Sequence, residues 1–201
     1  MPYGKFESVA EVARLFDIEV SANTTFVHEL AIEVVTTDFN KIKKKLADEL
    51  NFINETTICE RIISPMLELV ADHYEVLKIW SHVSYNVNKD KGLQGEPDYL
   101  VAQKTKYGDM DIPPICIIEA KRDNFDEGWT QALAEMVAAS LQGKTSCYGI
   151  VTTGNTWEFG YLENNVFTRD PVKFSATVNL QKIFNVINWV FNQGLEQIKP
   201  S

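Results

Sequence analysis

Apolar positions recur with a helical period along some stretches of this chain and alternate with polar ones along others. The segment from Phe6 to Phe16 has the helical period, a short β-prone run follows, and Val27 to Leu50 again has helical character. The period continues from Asn54 to Tyr74. Pro65 should kink or restart that helix, because an interior proline removes a hydrogen bond and clashes with the preceding turn. Three β-prone runs come next, over residues 77–87, 97–103 and 115–121. Asn124 and Glu127 have the form of a capping box opening a helix over 125–142. Its apolar stripe is Phe125, Trp129, Leu133, Met136, Val137 and Leu141. Strands over 146–152 and 156–162 flank Gly154-Asn155, a hairpin signal, and a last helix runs from Asn179 to Gln193.

The order helix, strand, strand, strand, helix, strand predicts an α/β fold. The first three strands should form an antiparallel meander, and the strand after the 125–142 helix should lie parallel to the 115–121 strand. No Pro/Gly/Ser linker interrupts residues 1–201, which are read as one domain: an amino-terminal cap over 1–50, a core over 51–170 and a carboxy-terminal helix over 171–201. That last helix has apolar residues on more than one face. A two-fold homodimer and a monomer that buries the helix against the cap both account for this.

Bulk properties narrow the setting. The chain has 201 residues, enough for a sizeable core. No stretch approaches the apolar length of a membrane helix, so no membrane partner is expected, and the first ten residues have no apolar leader core. Cys59, Cys116 and Cys147 lie in predicted helix or strand without CxxC spacing, which favours reduced thiols and a cytoplasmic location. His28, His73 and His82 are scattered and lack zinc-site spacing. A net charge of −9 argues against indiscriminate nucleic-acid binding. It leaves room for a local basic track, since most of the acidic excess lies in the first hundred residues and Lys41, Lys43, Lys44 and Lys45 form one basic run. That run equally suits the solvated face of a helix anchored by Ile42 and Leu46.

The candidate chemistry sits on two of the predicted strands. Glu119 and Lys121 share a face because side chains alternate with period two, while Cys116, Ile118 and Ala120 take the other. Their Cα atoms should lie roughly 6.6 Å apart. With Asp98 on a paired strand, two carboxylates and one ammonium converge, a set that suits Mg²⁺ and a phosphodiester.

Pro97-Asp98 with Glu119-Ala120-Lys121 resembles the motif of the PD-(D/E)xK nuclease superfamily, which has a restriction-endonuclease-like core (α-β-β-β-α-β), a mixed sheet flanked by helices. The segment Gly149 to Phe159 is similar to one in the amino-terminal nuclease domain of type I restriction enzyme R subunits and their stand-alone relatives. The resemblance implies a metal-dependent deoxyribonuclease, acting in restriction or DNA repair, with Mg²⁺ or Mn²⁺ as cofactor and DNA as partner. It implies Asp98, Glu119 and the backbone carbonyl of Ala120 as metal ligands, with Glu60 on the preceding helix as a direct or water-mediated ligand. Lys121 would orient the attacking water or stabilise developing charge, and Gln131 matches a glutamine often found near the catalytic centre. On helical geometry Gln131 points away from the apolar stripe, so solvent exposure is an equal reading. The alternative function is a catalytically silent nucleic-acid-binding or assembly module on the same fold, and a third is a purely structural or partner-binding domain.

Overall fold

The structure is a computed structural model and describes residues 3–197. The chain runs α1 (Val9–Phe16), β1 (Glu19–Val20), α2 (Thr36–Leu46), α3 (Glu55–Ile58), α4 (Ser64–Ala71), β2 (Leu77–Ser81), β3 (Tyr99–Gln103), β4 (Cys116–Ala120) and α5 (Phe125–Leu141). It continues with β5 (Ser146–Thr152), β6 (Thr156–Glu163), β7 (Val166–Arg169), β8 (Phe174–Ser175) and α6 (Leu180–Glu196). The strands form one mixed sheet in the order β1-β7-β6-β5-β4-β3-β2, with β8 beside β6. Helices flank it: α2, α4 and α6 pack on one face and α1 and α5 on the other, an α/β arrangement with a core on each side. Among the described residues no helix is long and apolar enough to cross a membrane.

The predicted meander is present. β2 pairs antiparallel with β3 and β3 with β4, in the register Tyr99 to Ile118. β5 lies parallel to β4, with α5 between them in the chain, and forms an antiparallel hairpin with β6. Pro65 leaves its mark on the helix before the meander. The chain widens into a π turn over Cys59–Ile63, and α4 then starts with Pro65 in its first turn, where its missing N–H does no harm.

Two expectations need correction. Within 27–50 the only α-helix is α2, a 3-10 turn starts at Glu49, and residues 21–35 form a strap without regular secondary structure. Val27, Ile32, Val34 and Val35 are β-branched and stiff at χ1, which disfavours helix. The strap draws its hydrogen bonds from the core instead. Asp170 accepts from the amides of Phe26 and Val27, and the Asn188 side chain donates to the carbonyl of Leu30. The strand expected over 77–87 ends at Ser81, where His82 turns the chain out of the sheet with φ 50°. The apolar faces of α6 pack within the chain against α4, the sheet and strap residues such as Phe26 and Ile32.

Helix α5 sits unusually close to the sheet. Trp129 is fully buried and its indole N–H donates to Glu158 at 2.7 Å. Its ring occupies the space left by Gly149 and Gly160, and a Cβ on Gly160 would stand 2.8 Å from the ring. On its outer side α5 is covered by α1, so residues from Gly128 to Ala139 are buried almost all round, whereas Leu141 of the predicted stripe is exposed. Gly160→Ala should therefore lower stability by roughly 1–3 kcal/mol, through overpacking that the ring has no room to relieve. Urea denaturation against the native protein measures it.

Candidate functional site

The antiparallel register of β3 and β4 places Asp98, just before β3, across from Glu119 near the end of β4. The two residues hold each other. The Asp98 amide donates to Glu119 Oε1 at 3.3 Å, and the Ala120 amide donates to Asp98 Oδ2 at 2.8 Å. Lys121 Nζ lies 3.1 Å from Glu119 Oε2, on the same face of the strand, while the side chain of Ala120 enters the opposite core. The Lys121 amide donates to the carbonyl of Thr152 on β5, which fixes the chain as it leaves the sheet. Asp98, Glu119 and Lys121 are thus brought together as their spacing suggested. Ala120 lies between the last two, with its amide committed to Asp98.

These side chains form one wall of a cleft of about 550 Å³. Gln131 lines it as well, buried rather than exposed, because α5 has a second covered face. Glu60 does not reach the cleft: it is exposed at the start of the π turn. The carboxylate that the helix contributes is Glu55, whose Oε1 stands 4.0 Å from Lys121 Nζ. Two further residues escaped the sequence reading. Glu135, one turn beyond Gln131, is 2% exposed, and His82 places Nδ1 3.8 Å from Asp98 Oδ1. Glu127, Gln131 and Glu135 form a polar row along an otherwise apolar helix, and that row was the available signal for Glu135.

Burial dominates the electrostatics. It pushes the Glu119 carboxyl up to about 7, aided by the Asp98 charge and partly offset by Lys121. Burial raises Glu135 well above the ordinary carboxyl range, and Glu119 beside it adds to the effect. For Lys121 burial works to lower the pKa, but Glu119, Asp98 and Glu55 outweigh it and hold the ammonium above its usual value. Gln131 Oε1 and Glu135 Oε2 have no hydrogen-bond partner among the described residues.

The donor set suits a hard divalent cation. Asp98 and Glu119 are adjacent carboxylates in a low-dielectric wall, and their mutual repulsion is what a cation between them would relieve. Among the described residues no group of three or more His, Cys, Asp or Glu side chains is placed to hold a metal ion. Two carboxylates are enough for Mg²⁺, which keeps most of its waters, and the set does not suit a closed zinc site.

No family model matches the chain. A stretch of 68 residues, 33% of the chain, is 40% identical to Crinkler effector protein 5 of Phytophthora infestans, and it takes in 18% of that protein's length.

The raised Glu119 carboxyl gives a signed pH dependence. Below the ordinary carboxyl range folded and unfolded chains both carry the proton; well above about 7 neither does. Between these limits the unfolded chain is already ionised while the folded one still holds its proton, so stability falls as pH rises. Without divalent metal, the melting temperature should drop between pH 5 and pH 8, and Glu119→Gln should flatten that drop. A thermal scan across the range decides it.

Proposed function

We propose that this chain is a metal-dependent deoxyribonuclease of the PD-(D/E)xK type on a restriction-endonuclease-like core. The observation that carries this reading is the reciprocal bonding of Asp98 and Glu119 across β3 and β4, with Lys121 on the same face. The meander, helix and parallel strand that present them have the element order expected of that core.

Asp98 and Glu119 would hold Mg²⁺ or Mn²⁺, joined by the backbone carbonyl of Ala120. Bound there, the ion supplies a water of lowered pKa and offsets negative charge on the phosphate. Lys121, positioned by Glu119, donates hydrogen bonds to the attacking water or to a nonbridging phosphate oxygen as charge develops. Glu55, rather than Glu60, is the helix carboxylate at the cleft, and it would help set the position of Lys121 rather than ligate the metal. Burial of Glu119 and Glu135 keeps bulk water from the inner wall and strengthens each of these interactions.

A plasmid-nicking assay with and without EDTA tests the reading. Asp98→Ala, Glu119→Ala and Lys121→Ala should each reduce cleavage by roughly 10²-fold or more while remaining folded. With ~10 mM Mg²⁺ and a Kd of ~1 mM, the metal should stabilise the native protein by about 1.4 kcal/mol, and Asp98→Ala by less. Metal binding and DNA binding without any cleavage would instead favour the catalytically silent module.

Glu55 and Glu60 separate cleanly. Glu55→Gln should slow cleavage by roughly 10–100-fold, the usual effect of losing a partner that orients an active-site group. Glu60→Gln should cut at the native rate, since its side chain lies outside the cleft. Equal losses in the two variants would mean that the helix presents the wrong face in this account.

A further inference from the structure

At the end of β2, His82 adopts φ 50°. The other non-glycine residues with positive φ among those described are Asp17, Asn164 and Asn165, short polar side chains that tolerate the left-handed region through local bonds. Histidine also tolerates that region, and here the angle turns the chain out of the sheet so that the ring comes to the rim of the cleft. Its backbone is tied to the site. β2 pairs with β3 up to Ser81 and Tyr99, and the His82 amide then donates to the carbonyl of Asp98 at 3.1 Å. The imidazole stands at the cleft rim, 3.8 Å from Asp98 Oδ1, with the side chain 55% exposed. That distance is too long for a hydrogen bond, so both ring nitrogens keep capacity for another partner.

The cleft needs such a group. A phosphodiester entering it meets the carboxyl groups of Glu55, Glu96, Asp98, Glu119 and Glu135. Lys121, the other basic side chain in the lining, is already engaged by Glu119 and approached by Glu55. Since β3 lies between β2 and β4 in the sheet, Asp98 stands between His82 and Lys121. A phosphate drawn to Asp98 through a metal would have the ammonium on one side and the imidazole on the other.

We propose that His82 binds the scissile phosphate by donating a ring N–H to a nonbridging oxygen, a role that rests on the nuclease reading above. Neutral and protonated imidazole both carry an N–H, so the contact requires no change of charge on the ring. It forms no covalent bond and accepts no proton.

The test uses the thymidylyl-thymidine dinucleotide with Ca²⁺ as binding probe and DNA oligonucleotides with Mg²⁺ for cleavage. In ¹H–¹⁵N NMR spectra of the full chain, the dinucleotide should shift the His82 ring nitrogens, assigned by their loss in His82→Gln. His82→Ala should weaken dinucleotide binding and slow cleavage, each by roughly 10–100-fold, as loss of a hydrogen bond to a charged group does. His82→Asn, which keeps an N–H donor, should recover part of both. The Mg²⁺-dependent rise in melting temperature should be the same in all of them. Dinucleotide that shifts the cleft amides of Gly95 and Glu96 but leaves the His82 ring unmoved would overturn the proposal. So would native binding and cleavage by His82→Ala, or an altered metal response with unchanged dinucleotide affinity, which would mark a residue that merely steadies Asp98. If the ring shifts and no oligonucleotide is cut, the phosphate contact stands and the nuclease reading falls. If the dinucleotide does not bind, the His82 contact falls, and the nuclease reading falls with it only if the oligonucleotides are also left uncut.

Discussion

The close seating of α5 against the sheet is the constraint from which the rest follows. Trp129 reaches the strands because Gly149 and Gly160 leave their shared surface bare, and its buried N–H is satisfied by Glu158. Glu158 is in turn paired with Lys173 at 2.6 Å, so the carboxylate does not sit unpaired in the interior. With the indole in place, the amino-terminal turn of α5 lies directly on β5. A Cβ on Gly128 would overlap Val151, which stands 2.5 Å away. The same approach carries Gln131 and Glu135 beneath the ends of β3 and β4 and closes the inner wall of the cleft.

That wall explains why the site is electrostatically tense. Glu119 and Glu135 are shielded from water by the helix that seats Trp129, and Lys121 is the one ammonium facing them in the cleft. Isolated buried charges of this kind are unfavourable unless paired, and one lysine cannot neutralise several carboxyls. The fold accepts the imbalance because the surrounding packing is dense, with Ile117, Ile118, Leu133 and Val151 fully buried on either side. Burial and the neighbouring charge raise both inner carboxyls above the ordinary range, and a cation between Asp98 and Glu119 would relieve their repulsion.

The sequence was most legible where one period governed the environment. Asp98, Glu119 and Lys121 could be grouped because a strand has two faces and antiparallel register brings distant positions together. Gln131 resisted for the opposite reason: a stripe analysis assumes one buried face, and α1 supplies a second cover that no local pattern on α5 encodes. Glu55 was hidden by its own position. An acidic residue directly after an Asn cap reads as a first-turn preference, and only the tertiary placement of α3 turns it towards Lys121. The strap misled because its apolar spacing suits a helix, while its β-branched residues and its partners on α6 and β7 decide otherwise. His82 carried no signal at all, since only the turn that ends β2 brings it beside Asp98.

The strap has a consequence for how the chain is assembled. Its anchors lie far along the polypeptide: Phe26 is bonded to Asp170 across 144 residues, and Leu30 to Asn188 across 158. During vectorial synthesis these partners emerge long after the segment they hold, at about 5–20 residues per second. The strap must therefore wait undocked, with Phe26, Val27 and Ile32 uncovered, until α6 has left the ribosome. Helix α6 thus completes the burial of a segment made 158 residues before its Asn188 anchor, and loop closure over that span makes this docking among the slowest contacts to form.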